Sequence, residues 1–320
     1  MNKDSICSSD LLSSGSSPSD SELPDSLRPQ NIYRGRFAPS PSGPLHFGSL
    51  VSAVASYLDA KANQGVWLVR MEDIDPPREM TGAADTILQQ LERHGLHWDE
   101  TVLYQSQRSK AYQSVLEELK QADQIYPCQC SRQQIKEHQG IHNYRCELLD
   151  QTTPYALRLS AKKPCQIALH DIFQGNQQQD IQLEVGDMVL YRKDQLFAYQ
   201  LAVVIDDAFQ QITHVIRGSD LLSSTPRQIY LQQQLKLPTP EYGHIPVAVN
   251  PNGQKLSKQN HAKSIDNNTA EQNLATAIRW LGLPLPASQT FTSCDELLTW
   301  GISHWQRDKI PKTQEKVASN

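Results

Sequence analysis

The 320-residue sequence lacks three features that would place it in a specialised class of proteins. It has no apolar run long enough to cross a membrane, which takes about 20 residues. Its six cysteines are too few and too unevenly spaced for a secreted disulfide framework. Its formal net charge is −5, whereas a domain that binds polyanions of any kind is usually strongly basic. We therefore expect a globular protein of the reducing cytoplasm, in which RNA binding would need a local basic face.

Large apolar side chains are also scarce in residues 1–30, which are rich in serine. Such a segment buries too little surface to offset its chain entropy, so we predict a disordered tail. It has no apolar stretch after its first charges, so we do not expect it to be a signal peptide. The rest of the chain is long enough for about two domains.

The folded part opens with a strand, a loop rich in Pro, Ser and Gly, and a helix. The loop lies within residues 34–49, and the helix has four apolar residues on one face, Leu50, Val51, Val54 and Leu58. Such a unit presents unpaired backbone N–H groups and the positive end of a helix at one point, which suits a phosphate. His46 lies where the helix begins. The alternative is an ordinary βα turn with a structural histidine.

Carboxylates follow the next predicted strand. Residues 66–71 are apolar enough for a buried parallel strand, and Glu72, Asp73 and Asp75 come directly after it. Ligands of α/β sheets bind at the carboxyl ends of the strands, so this acidic segment is a candidate site. A solvated acidic turn is the alternative.

Three cysteines and a histidine cluster in the middle of the chain: Cys128, Cys130, His142 and Cys146. Three sulfurs and one nitrogen form a closed set of four ligands, which is typical of structural zinc. Tyr144 is a rival oxygen ligand to His142, although imidazole binds zinc better. Three reduced thiols without a metal are the other possibility.

The remaining patterns predict the fold class, an α/β fold with a doubly wound, Rossmann-type parallel sheet. We expect its first half in residues 31–122 and its second in 196–264, with a zinc-bearing mixed α/β insertion in 123–195 between them. Residues 197–207 form a buried helix or strand that carries Tyr199, whose hydroxyl needs a partner. Residues 265–320 form a short C-terminal helical stub, in which Ser293 and Glu296 make a capping box. We expect the polar end from Asp308 to fray.

Two loops together resemble the paired signatures of class I aminoacyl-tRNA synthetases. The first reads Pro-Ser-Pro-Ser-Gly-Pro-Leu-His-Phe-Gly, and the second, at residues 255–258, reads Lys-Leu-Ser-Lys. The segments at 36–43, 70–75 and 218–228 resemble the glutamate-specific branch. Only a helical stub follows the second loop, as in members of this branch that lack the anticodon-binding region. Those members attach glutamate to the queuosine base at the wobble position of tRNA(Asp).

The resemblance implies the site residues and the cofactors. For glutamate it implies Arg36, Phe37, Ala38, Pro39, Ser40, Glu72, Tyr199 and Arg217. For ATP, used with Mg²⁺, it implies His46, Gly48, Ser49 and Lys258. The catalytic set is His46, Lys255 and Lys258, and the ligands of one structural Zn²⁺ per chain are Cys128, Cys130, His142 and Cys146. The implied partners are L-glutamate, ATP and queuosine-containing tRNA(Asp), and we expect a monomer.

The sequence departs from this family at three points. Ser49 stands where the first signature usually has a second histidine, so part of the phosphate contact must come from serine or backbone. His142 replaces a tyrosine, which should strengthen zinc binding. Gln195 replaces the glycine of an Asp-Gly turn. Two alternatives stay open: a truncated glutamyl-tRNA synthetase that charges a tRNA 3′ end, and a non-catalytic zinc-bearing RNA-binding paralogue.

Overall fold

The computed structural model describes residues 32–137, 139–146, 150, 152–162, 165–256 and 262–318. The predicted disordered tail and Lys258 therefore lie outside the described residues. Within the described ranges, no helix has both the length and the apolar composition needed to cross a membrane.

Three parallel strands form the first part of the fold, in the order β1 (Arg34–Phe37), β2 (Val66–Met71) and β3 (Leu103–Tyr104). Helix α1 (Phe47–Ala62) connects β1 to β2, and α2 (Ala83–Arg93) connects β2 to β3. The predicted apolar face of α1 is fully buried. This strand–helix alternation brings the loop after β1 and the carboxylates after β2 to the same edge.

A second parallel pair consists of β9 (His214–Gly218) and β10 (Glu241–Ile245). Helix α5 (Tyr199–Phe209) precedes this pair, and α6 (Thr225–Gln234) connects its two strands. The residue before β9, Thr213, is joined to β1, because its N–H donates to the carbonyl of Arg34 at 2.9 Å. The predicted α/β character is thus confirmed, with parallel pairing in both halves.

The predicted insertion is built mainly of antiparallel strands. Its first sheet has the order β4 (Ile125–Cys128), β5 (Ala156–Leu159) and β8 (Met188–Tyr191). A hairpin of β6 (Gln166–Asp171) and β7 (Gly175–Asp180) lies between β5 and β8 in the sequence. Two helices flank β4, α3 (Ser109–Gln121) before it and α4 (Arg132–Glu137) after it. At the end of this segment Gln195 adopts the left-handed φ of 64° that glycine would favour.

The C-terminal part contains α7 (Ala270–Trp280) and α8 (Cys294–Ser303), and its end does not fray as expected. Ser293 caps α8 as predicted, since its side chain accepts from the N–H of Glu296. Beyond Asp308 the chain forms β12 (Glu315–Val317), which pairs in parallel with β11 (Val247–Val249). The segment is polar, but its backbone completes a ladder, and backbone pairing does not depend on apolar side chains.

A buried carboxylate also holds the C-terminal part against α1. Asp59, on α1, has no exposed surface. It accepts hydrogen bonds from the indole of Trp305 at 2.7 Å, from the guanidinium of Arg307 at 2.8 and 2.9 Å, and from the hydroxyl of Tyr33. The polar residues after α8 are therefore part of the packed structure.

Candidate active site

The loop after β1 is tied to the loop after β2 by backbone hydrogen bonds. The N–H of Glu72 donates to the carbonyl of Pro39 at 3.0 Å, and that of Met80 donates to Pro41 at 2.9 Å. The predicted glutamate-binding residues in this loop are placed differently. Phe37 packs in the core, with its ring 6.5 Å from the ring of Trp67. Ala38 and Pro39 are half-buried, and Ser40 is exposed.

His46 caps the N-terminus of α1. Its Nδ1 accepts from the N–H of Ser49 at 3.3 Å, and the Oγ of Ser49 lies 3.0 Å from its Nε2. The serine that replaces the second histidine of the signature therefore contacts the first histidine directly. A Cβ added to Gly48 would lie 3.2 Å from the His46 ring and 3.5 Å from the carbonyl oxygen of Leu256. The two signature loops thus meet at the positive end of a helix.

Lys255, at the start of the second loop, pairs with the carboxylate of Asp220 at 2.5 Å. This ion pair is partly exposed, and Asp220 lies two residues beyond the end of β9. Lys258, the lysine that the resemblance assigns to ATP, belongs to the part of the loop that the structure does not describe, so its role stays a prediction.

Arg36 and Arg70 share one buried carboxylate. The guanidinium of Arg36 donates twice to Asp207 on α5, at 3.2 Å each, and Arg70 Nη1 lies 2.8 Å from the same carboxylate. Burial disfavours the charged form of Asp207, but the two guanidinium groups outweigh it and hold its pKa below the ordinary value. The two hydrogen bonds to Asp207 thereby fix the position of the Arg36 guanidinium.

Glu72 is an underpaired buried carboxylate. Its Oε1 lies 3.6 Å from Arg70 Nη2 and accepts no hydrogen bond from any described residue. Burial raises the pKa of Glu72, opposed by the positive charges of Arg70, Arg36 and Arg217. A buried carboxylate oxygen without a donor is costly, so a cationic ligand would find a strong partner here.

Arg217, at the end of β9, is held on two sides of its guanidinium. Its Nη2 donates to Thr225 and Gln228 at 2.8 Å each, and its Nε donates to His244 Nε2 at 3.0 Å. Its Nη1 donates to the hydroxyl of Tyr199 at 3.3 Å. This leaves Nη1 as the nitrogen best placed to bind a ligand beside Tyr199.

The structure therefore brings Arg36, Glu72, Tyr199 and Arg217 together, as their mutual electrostatic effects show. Sequence reasoning gave no role to three residues that support them: Arg70, Asp207 and His244. A signal existed for two of them. Arg70 lies in a buried strand and Asp207 in a mostly apolar helix, and a charged residue in such a place requires a charged partner.

The predicted metal ligands also converge. One donor atom from each of Cys128, Cys130, His142 and Cys146 lies within 4.8 Å of all the others. The Nε2 of His142 is 3.1 Å from the sulfur of Cys146 and 3.4 Å from that of Cys128. Tyr144, the rival ligand, stacks on His142 with ring centroids 4.3 Å apart and places its hydroxyl 3.7 Å from the sulfur of Cys130.

The second nitrogen of His142 is oriented by neighbours outside the cluster. Its Nδ1 lies 3.1 Å from the hydroxyl of Tyr126 and 3.8 Å from a carboxylate oxygen of Asp187. Gly186 makes this arrangement possible, because a Cβ there would come within 2.5 Å of the His142 carbonyl oxygen. Such outer contacts, with Nε2 turned to the thiols, are typical of a histidine that binds a metal.

The buried charged groups near the loops after β1 and β2, together with the loop at the N-terminus of α1, form the candidate site, and comparisons with known proteins identify its family. Residues 33–316 match the family model described as "tRNA synthetases class I (E and Q), catalytic domain". The chain therefore belongs to the catalytic-domain family of the class I tRNA synthetases for glutamate and glutamine.

Individual relatives within this family share a more specific name. The chain is similar to a protein named Glutamyl-Q tRNA(Asp) synthetase in Thiobacillus denitrificans, with 51% identity over 87% of this chain and 94% of that protein. It is also similar to a protein of the same name in Neisseria gonorrhoeae, with 49% identity over 88% of this chain and 98% of that protein.

Solved structures give the same fold. A glutamate-tRNA synthetase from Elizabethkingia anophelis matches with a TM-score of 0.75 and 27% identity, covering 90% of this chain and 68% of that one. A glutamate tRNA ligase from Elizabethkingia meningosepticum, solved in complex with its amino acid, matches with a TM-score of 0.72 and 28% identity, covering 90% of this chain and 67% of that one.

Proposed function

We propose that the chain activates L-glutamate with ATP and transfers it to the queuosine base at the wobble position of tRNA(Asp). The relatives named for this activity match nearly their whole length to this chain. The observation that carries the proposal is the underpaired carboxylate of Glu72, which is buried among guanidinium groups.

The charges of this pocket complement glutamate. Arg36, Arg70 and Arg217 supply three positive charges, and Asp207 and Glu72 supply two negative ones, which leaves a surplus of one positive charge. Glutamate carries two carboxylates and one ammonium group, a net charge of −1. In our proposal Glu72 binds the ammonium group, while Arg36 and Arg217 make charge-assisted hydrogen bonds to the side-chain carboxylate.

The activation step then requires positioning and charge stabilisation. The α-carboxylate oxygen of glutamate attacks the α-phosphorus of ATP, the bond to the bridging oxygen breaks, and pyrophosphate leaves. The N-terminus of α1, with Gly48 and Ser49, would stabilise the negative charge on the phosphates, together with His46, Lys255, Lys258 and Mg²⁺. A hydroxyl of the queuosine cyclopentene ring then attacks the acyl carbon, and AMP leaves.

Four thiol and imidazole donors within 4.8 Å of each other fit one tetrahedral Zn²⁺. A closed Cys₃His set leaves no open coordination position, so the metal would support the insertion and take no part in the reaction. Because β1 is bonded to the residue before β9, we also infer that the two parallel groups are halves of one doubly wound sheet. We also propose that the protein acts as a monomer in the cytoplasm, where its proposed tRNA substrate is found.

Two measurements test this function. ATP–pyrophosphate exchange should depend on glutamate and proceed without any tRNA. Radiolabelled glutamate should then be transferred to tRNA(Asp) that contains queuosine and not to the same tRNA prepared without it. Exchange that strictly required tRNA(Glu), or transfer to a tRNA 3′ end, would instead favour a truncated glutamyl-tRNA synthetase. A protein without exchange activity would be a non-catalytic paralogue.

A further inference from the structure

A fully buried aspartate and histidine lie directly behind Arg217. Asp171 and His244 both have no exposed surface, and Asp171 Oδ2 is 2.5 Å from His244 Nδ1. The other carboxylate oxygen, Oδ1, accepts from three backbone N–H groups, those of Phe173 at 3.0 Å, Gln174 at 2.9 Å and His244 itself at 3.0 Å. Asp171 is thus held in a single orientation, with one oxygen left for the imidazole.

These contacts determine the tautomer of the imidazole. A carboxylate can only accept, so Nδ1 carries the proton that it donates to Asp171. Arg217 can only donate, so Nε2 must be the unprotonated nitrogen that accepts from Arg217 Nε at 3.0 Å. Burial lowers the pKa of His244 to about 4, so the ring is neutral at pH 7. A second proton on the ring would make Nε2 a hydrogen-bond donor, and it would then face the N–H donor of Arg217 Nε.

We propose that His244 is a positioning residue: Asp171 holds its imidazole as the Nδ1–H tautomer, and Nε2 in turn fixes the guanidinium of Arg217 in the glutamate pocket. The inference deepens the proposed function and rests on it for its kinetic part. It also gives the insertion a direct role in the pocket, because Asp171 ends β6 and is followed by the turn of the β6–β7 hairpin.

The hairpin makes a second contact with the same strand. Gln174, in the turn, donates through Nε2 to the carbonyl of His244 at 2.8 Å. The side chain and the backbone of His244 are therefore both held by residues 171–174. Nη2 of Arg217 donates to Thr225 and Gln228, whereas Nε donates to His244 Nε2, which also lies 3.1 Å from the hydroxyl of Thr225.

Asp171→Asn tests the tautomer. Its Oδ1 must keep accepting from the three backbone N–H groups, so its amide N–H would face His244 Nδ1. The imidazole proton would then move to Nε2 and confront Arg217 Nε. We expect the KM for glutamate to rise about 10- to 100-fold, with the KM for ATP and the kcat of exchange changed much less. Imidazole ¹⁵N NMR should show Nδ1 protonated in the native protein and Nε2 protonated in the variant.

A pair of substitutions at His244 separates positioning from packing. His244→Gln keeps an acceptor that can reach Arg217, whereas His244→Leu fills the space without one. We expect the glutamine variant to keep a KM for glutamate within about threefold of the native value, and the leucine variant to raise it as Asp171→Asn does. His170→Gln, at an exposed position of β6, is the matched control and should change neither constant.

Each result decides the inference. It is overturned if the glutamine and leucine variants raise the KM equally at matched thermal stability, or if native His244 carries its proton on Nε2. It is supported if the leucine variant raises the KM for glutamate much more than the glutamine variant does, and if Asp171→Asn moves the imidazole proton to Nε2. If the native protein shows no glutamate-dependent exchange, the proposed function fails, and the NMR result alone then supports or overturns the role of His244.

Discussion

Replacing Glu72 by glutamine should lower glutamate activation strongly and leave the folding stability almost unchanged. The change keeps the shape of the side chain and removes one buried negative charge. In the free protein Oε1 of that carboxylate has no hydrogen-bond donor among the described residues, and it lies 3.6 Å from Nη2 of Arg70. Removing the charge relieves a desolvation cost and loses a weak attraction. We expect the free energy of unfolding to change by about 1 kcal/mol or less.

Glutamate binding should respond much more strongly. The proposed contact between the substrate ammonium group and Glu72 is a buried, charge-assisted pair, and leaving one partner unpaired costs about 2–4 kcal/mol. At 1.4 kcal/mol per tenfold, kcat/KM for glutamate should fall by about 30- to 1000-fold. The same loss should appear in pyrophosphate exchange and in transfer to tRNA(Asp), because both follow amino-acid binding.

The assay is glutamate-dependent ATP–pyrophosphate exchange, combined with urea unfolding of the same preparations. Glu79→Gln is the matched control, since Glu79 is exposed in the same loop and should lose little activity. A Glu72→Gln protein that keeps kcat/KM within threefold would refute the assignment of the ammonium group to Glu72. A protein that loses activity only because it unfolds would refute the stability argument.

Three further outcomes follow from the cysteine–histidine cluster and from two buried carboxylates. Cys146→Ser should abolish stoichiometric zinc by metal analysis and lower the thermal midpoint, whereas Cys294→Ser, outside the cluster, should do neither. Asp59→Asn should lower the urea-unfolding free energy by about 2–4 kcal/mol, against little change for the exposed Asp308→Asn, because Arg307 loses its carboxylate. The folded-state pKa of Asp207 is below its ordinary value, so its ion pairs stabilise the fold fully above about pH 4 and are lost as the pH falls further. Asp207→Asn should therefore unfold more readily at pH 7 and lose less stability on acidification, as measured by urea titrations from pH 3 to 7.

Much of the candidate site could be predicted because its parts are local in sequence. The loop after β1, the cap at His46 and the spacing of the four metal ligands each involve a few neighbouring residues, so their backbone preferences and donor types are readable in order. Glu72 was predicted in the same way, as a carboxylate that directly follows a buried strand. The N-cap at Ser293 belongs to this group and was also confirmed, whereas the Glu296 carboxylate accepts from the N–H of Thr292 and not from that of Ser293.

The supporting contacts could not be predicted, because their partners are far apart in the chain. Asp171 and His244 are 73 positions apart, and Arg36 and Asp207 are 171 apart. Hydrophobic periodicity indicates which residues are buried, but it carries no information about which buried polar groups meet. The frayed end that we expected from Asp308 was wrong for the same reason, since a polar segment gains order from a strand elsewhere.

The sequence by itself thus predicted the family, the two signature loops, and the candidate pocket and metal-ligating residues, because residue type and local spacing indicate those features. Only the tertiary structure decided how the pocket is held: Asp207 contacts Arg36, His244 contacts Arg217, and Oε1 of Glu72 has no donor among the residues that the structure describes. The physical reason is that a buried polar group needs a hydrogen-bond partner, and the fold supplies that partner from a part of the chain that is distant in sequence.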